Sequence, residues 1–426
     1  MARAMKDSGI AWIGEIPENW DSLRLKYLVT CNDESLSEDI DPDFEFAYID
    51  IGSVEYGKGI TQRQHMRFAE SPSRARRIVR EKDVILSTVR TYLKAVATID
   101  SYSIPQIVST GFAVLRAREG KVVSDFLNFA VLSDAFVSLI EAKSTGISYP
   151  AINASDVVEI PIPVPPIDEQ NRIAEYLSNQ CAKIDAVIEQ TRASIEEYKK
   201  LKQAVITQAV TKGIRPNRPL KDSGVEWIKE IPVDWTMERG KVLFQEIDHR
   251  SSDGSEELLT VSQYTGVTPR SQKNVNMFEA ESLEGYKICE IGDIAANTMW
   301  LWAGAIGVSR YFGVISPSYN IYRQKSGRYD PTYLDYLLRT EPLVQHFESL
   351  STGIRASRLR LYPQQFLCIR YPVPPMEEQK EIVCYLQVII SEMDLLIEKK
   401  LQYLGEIESY KKSLIFEYVT GKREVL

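Results

Sequence analysis

The segment PVPPIDEQNRIAEYLSNQCAKIDAVIEQ, residues 163–190, returns at 372–399 as PVPPMEEQKEIVCYLQVIISEMDLLIEK, an offset of 209 residues. The alignment continues without a gap to AVTKG (209–213) and YVTGK (418–422). With heptad position a at Ala174, Cys181, Ile188, Ile195 and Lys202, and d at Leu177, Ile184, Thr191, Tyr198 and Val205, eight of ten positions are apolar. The same register in the second copy gives Val383, Leu386, Ile390, Met393, Ile397, Lys400, Leu404, Ile407, Lys411 and Leu414, again eight of ten. Apolar residues in sustained 3-4 spacing form a seam that a helix buries against a matching seam. The pattern predicts helices around 167–211 and 376–420, packed antiparallel, with Leu177, Ile184, Ile188, Ile195, Leu386, Ile390, Met393 and Ile397 in their contact. Each helix would be about 65 Å long. Pro165-Pro166 and Pro374-Pro375 suit a first turn, where no amide hydrogen is needed. Asp168-Glu169 and Glu377-Glu378 place negative charge at the positive end of each dipole, and Gly213 and Gly421 stand where each helix should stop.

A second repeat lies upstream of each tail. KDSGIAWIGEIPENW (6–20) matches KDSGVEWIKEIPVDW (221–235) at ten of fifteen positions, including Trp12/Trp227 and Trp20/Trp235. STGI at 144–147 recurs at 351–354. Each half is thus a Trp-rich peptide, a variable block and a patterned tail. The blocks read as mixed α/β (α+β). FEFAYIDIG (44–52), DVILSTVR (83–90) and AVATID (95–100) have the content of strands, and SDFLNFAVLSDAFVSLIEAKSTG (124–146) has helical spacing. The second block keeps this order, with GDIAANTMWLWAGAIGVS (292–309) and then a helix in YDPTYLDYLLRTEPLVQHFESLSTG (329–353). There Trp300 and Trp302 stand in place of Arg90 and its neighbours, with the core as their expected place and a stacking or groove-facing surface as the alternative. The domain division that follows is 1–163, 164–213, 214–372 and 373–426, block and helix in alternation.

A chain of 426 residues, 44% apolar and 26% charged, is long for one core and ordinary for a soluble globular protein. It contains no run of 18 apolar residues, and MARAMKDSG lacks the apolar stretch of a signal peptide, so a cytoplasmic protein without a membrane partner is expected. Five scattered cysteines (Cys31, Cys181, Cys289, Cys368 and Cys384) with no C-x-x-C pair point to free thiols. Catalytic signals are missing. No Walker A loop occurs, and His65, His249 and His346 are isolated. The tandem prolines lack the preceding Asn/Asp and following aromatic of an amino-methyltransferase loop, and Pro42-Asp43 lacks a downstream acidic-x-Lys. No catalytic residue and no metal site are expected.

The net charge of −8 argues mildly against wholesale nucleic-acid binding, but charge is unevenly spread. Residues 61–94 carry Arg63, Arg67, Arg74, Arg76, Arg77, Arg80, Lys82, Arg90 and Lys94 against Glu70, Glu81 and Asp83, a surplus of six. Guanidinium forks suit phosphates and guanine edges. Arg63, Arg67, Arg74, Arg76, Arg77, Arg90 and Lys94 are therefore candidate DNA contacts, with Arg270 and Lys273 and then Arg355 and Arg358 in the second block. The competing reading is that the first cluster balances the acidic stretch 33–50.

The whole order, given twice, resembles the specificity subunit of type I restriction–modification enzymes: W-x-x-x-I-P-x-x-W, variable block, STG, P-x-P-P-x-x-E-Q and long helix. PPIDEQNRIAEYL and ITQAVTKG are its specific motifs, and the resemblance spans essentially the entire chain. The second tail departs from it, ending IFEYVTGKREVL. The resemblance implies two tandem target-recognition domains with a pseudo-two-fold internal repeat, separated by two antiparallel helices. Each domain would read one half of a bipartite double-stranded DNA site. It also implies partners: two modification (methyltransferase) subunits per chain and, in the full complex, restriction/motor subunits. S-adenosylmethionine, ATP and Mg would reside on those partners. Readings from other classes are a tandem coiled-coil scaffold that binds only proteins, and a self-contained methyltransferase or nuclease, which the missing motifs weaken.

Overall fold

The heptad segments are helical over Ile167–Lys212 and Met376–Val419. Gly213 and Gly421, just beyond their ends, have φ of 77° and 70°, the left-handed conformation that terminates a helix. The computed structural model describes residues 3–273, 282–353 and 359–425. The chain divides into two units, Met1–Arg192 with Gln402–Leu426, and Ala193–Leu401. The division falls inside both long helices rather than at their ends, because each unit buries part of each helix in its own core. The first core takes Ile173, Leu177 and Cys181 with Leu414, Tyr418 and Val419. The second takes Ile206, Ala209 and Val210 with Ile382, Val383 and Leu386.

In the first unit an antiparallel sheet runs in the order Val96–Thr98, Val84–Ser87, Phe112–Ala117, Val29–Cys31. Side chains alternate across it. Val84, Leu86, Val96, Ala113 and Leu115 pack toward the helices, while Ile85, Ala97, Phe112 and Val114 face a second layer with Ile49, Val79 and Val108. With both faces covered, the strands read as continuous apolar runs. The second layer is a four-stranded sheet, Gln64–Arg67, Glu45–Ile49, Gln106–Ser109 and Ala75–Val79, with one parallel pairing.

The second unit repeats the first sheet in the order Ile306–Val308, Ile294–Ala296, Asn320–Gln324, Phe244–Ile247. Its other layer differs, consisting of two separate strand pairs: Leu259–Ser262 with Gly266–Pro269, and Lys287–Cys289 with Gly313–Ile315. The duplicated part is thus the inner sheet and helices.

Each sequence segment expected as one helix between block and tail is two: Ser124–Leu132 and Asp134–Lys143 in the first unit, Pro331–Leu338 and Glu341–Leu350 in the second. The breaks fall at matching residues, Ser133 and Thr340, both buried. Ser133 Oγ donates to the Ala130 carbonyl (2.7 Å) and Thr340 Oγ1 to the Leu337 carbonyl (2.9 Å). A hydroxyl that bonds the preceding turn competes with helix continuation. Apolar spacing carries no trace of this.

The long helices run antiparallel to one another within each unit. In the first, Tyr176 packs against Tyr418 with the rings tilted, Asp185 accepts from Lys411 Nζ (2.6 Å) and Arg192 donates to Glu408 (2.8 Å). In the second, Tyr198 lies under Lys400 and Lys202 Nζ donates to Asp394 (2.6 Å). All ten a and d positions of each helix are buried or half-buried. Lys202–Asp394 and Lys411–Asp185 are the same pair in the two copies. A polar residue at an a position fixes register, since only one alignment gives it a partner.

The E-Q of each P-x-P-P-x-x-E-Q is a tertiary clamp, and it explains the repeated Trp-rich peptide. Glu169 accepts from the Trp20 indole (2.9 Å) and from Arg3 Nη1 (2.6 Å), and Arg3 stacks over the Trp20 ring. Glu378 accepts from the Trp235 indole (3.0 Å) and from Arg218, which likewise lies over Trp235. Gln170 accepts from Val123 N and donates to the Pro165 carbonyl. Gln379 accepts from Asp330 N and donates to the Pro374 carbonyl. Each peptide is thereby fastened to a long-helix start, and each long-helix start to the N-terminus of a block helix, Ser124–Leu132 or Pro331–Leu338.

Burial pushes the Glu169 carboxyl up, but the bonds from Arg3 and Trp20 outweigh it and hold the group below its ordinary range. A carboxylate lowered on folding contributes stability above its unfolded pKa of about 4.3 and loses that contribution as pH falls through the folded value. Glu169→Gln should therefore flatten the acid limb of the unfolding curve. Glu169→Ala should cost about 3 kcal/mol at neutral pH, because Arg3 and the Trp20 indole lose their acceptor. Equal acid sensitivity of parent and Glu169→Gln would remove this clamp from the account of stability.

Candidate nucleic-acid interface

Four of the basic residues in 61–94 have carboxylate partners brought by the fold. Strand Gln64–Arg67 pairs with Glu45–Ile49 so that Arg67 stands opposite Glu45 (3.7 Å), with Asp43 at 3.5 Å. Arg63 pairs with Asp100, donates to Gln106 (2.9 Å) and stacks on Tyr102, leaving its side chain 15% exposed. Arg80 pairs with Glu34. Lys94 lies 3.9 Å from Asp134 and 3.7 Å from Glu141. The balance against 33–50 expected of the competing reading is met by Arg67 and Arg80, whereas the carboxylates beside Arg63 and Lys94 lie outside that stretch. Strand pairing placed acidic and basic residues together that lie more than twenty positions apart in sequence.

Arg74, Arg76 and Arg77 differ. Arg74 is exposed. Arg76 covers the Phe68 ring and donates to the Ala75 carbonyl. Arg77 is half-buried, its Nε without a hydrogen-bond partner among the described residues. In the second unit Arg270 opens the turn Arg270–Gln272 and is half-buried. Lys273 follows it, and burial draws its ammonium pKa down. Arg355 and Arg358 lie outside the described residues.

In each unit a buried carboxylate, paired with a partly exposed arginine, ties the inner sheet together. Asp83, preceding strand Val84–Ser87, takes both forks of Arg116 at 2.9 and 2.8 Å. Asp293 takes Arg323 at 2.7 and 2.8 Å. In sequence Asp83 does no more than reduce a positive count.

Each sheet ends in an exposed turn at the same place. In the first unit Thr91–Leu93 joins the strands Val84–Ser87 and Val96–Thr98. Thr91 is buried and its hydroxyl donates to Ser144 (2.8 Å), which sets the STG loop beside the turn. The loop is closed by Thr145 pairing with Ala151, and Ala151 also bridges to Val89. Arg90, Tyr92, Leu93, Ile147 and Tyr149 are exposed here, with the Arg90 guanidinium 5.2 Å from the Tyr149 ring centre.

In the second unit the turn is Leu301–Ala303, anchored by buried Leu301 and packed against helix Glu341–Leu350. Its tip carries Met299, Trp300 and Trp302. Trp300 is 52% exposed and stacks on Trp302 at 5.7 Å, while Trp302 donates to the Met299 carbonyl. The core placement expected for these tryptophans is corrected for Trp300. The position belongs to a turn tip, and the inward place is filled by Leu301. Tyr149 and Ile147 went unremarked in the sequence, although the repeated STG beside them was the available signal. Among the described residues no group of side chains could hold a metal ion, and no helix is long and apolar enough to cross a membrane.

The family profile described as "Type I restriction modification DNA specificity domain" matches residues 17–197. The type I restriction enzyme MjaVIII specificity subunit of Methanocaldococcus jannaschii is 26% identical over 72% of this chain and 72% of its own length. A protein of the same organism assigned as the type I restriction enzyme MjaX specificity subunit is 23% identical over 97% of this chain and 96% of its own. The fold is shared with a chain from a solved type I R-M system, at a TM-score of 0.75, 23% identity and coverage of 96% of this chain and 99% of that one. It is shared also with the HsdS subunit of Thermoanaerobacter tengcongensis, at 0.53, 23%, and 96% and 98% coverage. By the matched profile over residues 17–197 and by a relative along nearly its whole length, the chain is similar to type I restriction–modification specificity subunits.

Proposed function

We propose that this chain is the non-catalytic DNA sequence-specificity subunit of a type I restriction–modification complex. Each recognition unit reads one half of a bipartite double-stranded site. The paired helices set the gap between the half-sites and dock two methyltransferase subunits, and restriction/motor subunits join the full complex. S-adenosylmethionine, ATP and Mg are supplied on those partners, in the cytoplasm.

The observation that carries this reading is one scaffold built twice with different tips. The Trp–Glu clamp, the Gln bridge, the Asp–Arg pair and the Lys–Asp pair all recur, whereas the exposed turn is Arg and Tyr in one copy and Trp and Met in the other. A protein-only scaffold has no need of equivalent tips with unlike chemistry. Loops on a fixed frame are where recognition varies.

The test is a salt titration of DNA binding by the chain with its methyltransferase subunits. Exposed Arg74 and neighbouring Arg76 are suited to phosphate. Arg74→Gln with Arg76→Gln should weaken binding to every sequence alike and reduce the slope of log K against log salt by about 0.9 for each phosphate no longer neutralised. An unchanged slope would remove both residues from the footprint, and no salt-dependent binding by the parent would sink the reading itself.

A further inference from the structure

Within this DNA-recognition reading, we infer that the sheet-end turn holds specificity-determining residues, and that Arg90 reads a guanine in one half-site. The turn occupies the same place in both units, anchored by buried Thr91 in one and buried Leu301 in the other. Below it lies the same rigid frame, with Asp83–Arg116 or Asp293–Arg323 tying its strands. What changes between the copies is the exposed tip.

Arg90 is held there by its backbone and by an aromatic ring. It has φ 52° and Lys94 has φ 51°, two non-glycine residues in the left-handed region flanking a three-residue turn. Side chains seldom occupy that region except where surrounding structure imposes it. The second unit has Gly304 at the place of Lys94 (φ 85°) but Trp300, at the place of Arg90, has φ −128°, so the exit of the turn is shared and the left-handed entry belongs to Arg90 alone.

The partners of Arg90 set it apart from most arginines of its unit. Arg63, Arg67, Arg80 and Arg116 all meet carboxylates. Among the described residues no carboxylate pairs with Arg90; Tyr149, 66% exposed, covers its face instead. Stacking occupies the face of a guanidinium and leaves its N–H edge available. That edge matches the paired acceptors O6 and N7 of guanine in the major groove. At the corresponding tip Met299, Trp300 and Trp302 bear no fork, so the second half-site is read there without one, by apolar contact.

The test uses the chain co-expressed with its modification subunits and reads methylated sites across a genome by sequencing. Arg90→Ala should relax one guanine position in one half-site, with discrimination falling on the order of tenfold or more. The other half-site and the gap should be unaltered. Arg90→Lys should keep part of the guanine preference, and Tyr149→Ala should lose part of it, which covers the case of Arg90→Ala failing to fold. Trp300→Ala should alter only the other half-site. A consensus identical to the parent's in the Arg90 variants overturns the assignment. So does an equal loss of methylation at all sites, which marks a phosphate contact. Those outcomes leave the recognition reading standing, whereas a parent complex whose methylation follows no bipartite consensus overturns both.

Discussion

Leu177→Ala and Leu386→Ala are expected to be the most damaging truncations in the two long helices, each costing about 2–5 kcal/mol. Both leucines are 0% exposed, and both occupy d positions in their helices. Leu177 lies in the cluster that contains Trp20, Ile16 and Phe126. Leu386 lies in the cluster that contains Trp235, Tyr333 and Phe366. Truncation would leave a cavity bounded by helix, peptide and block together, with little freedom to collapse. Aspartate at either site would add an unpaired buried charge and should prevent folding of that unit. Ile397 is only half-buried, so Ile397→Ala should cost under about 1.5 kcal/mol, and an aspartate there could reach water. Chemical unfolding of the full chain decides between them. Equal costs at Leu386 and Ile397 would mean that helix pairing, rather than docking of each helix start into a block, dominates stability.

The contrast shows what the sequence could reveal. Heptad spacing is local, so the helices, their ends at Gly213 and Gly421 and the inward positions of the seam were legible from periodicity and capping alone. Periodicity ranks no position above another, however. That Leu177 and Leu386 are sealed while Ile397 is partly open depends on blocks that cover the ends of the helices and not their middles. The Trp20–Glu169 contact joins residues 149 apart, and nothing at either end announces its partner. Duplication hinted at it, since Trp and Glu recur together, but only coordinates pair them. A simple count of the arginine cluster likewise carries nothing of its partners. Arg67 is neutralised by the strand beside it and Arg63 by Asp100, whereas Arg90 at a turn tip is not. Trp300 misled because tryptophan is usually buried, while the residue filling the inward place was its neighbour Leu301.

The second large effect concerns base identity. If each unit reads its own half-site, transplanting one block should transplant half of the specificity and nothing else. The exchange should run from Thr236 through Val373, because strand Thr236–Arg239 pairs with Arg370–Val373 and the two must travel together. It retains Arg218, Trp235, Glu378 and Gln379, so most of the clamp to the second long helix stays in place, provided the incoming block supplies the backbone groups that Gln379 bonds near Arg328 and Asp330. Lengthening both long helices by one heptad is the complementary change. It adds about 10 Å, or about three base pairs of axial rise, without touching either tip. Bending of the DNA could take up part of that length.

Sequencing of methylated sites from the parent, the exchanged chain and the lengthened chain, each with its modification subunits, measures base identity and gap together. The expected result is a new second half-site with the first half-site and gap retained in the exchanged chain, and unchanged half-sites with a longer gap in the lengthened one. The contradicting result is a block exchange that alters bases in both half-sites, or a heptad insertion that changes bases while leaving the gap as it was.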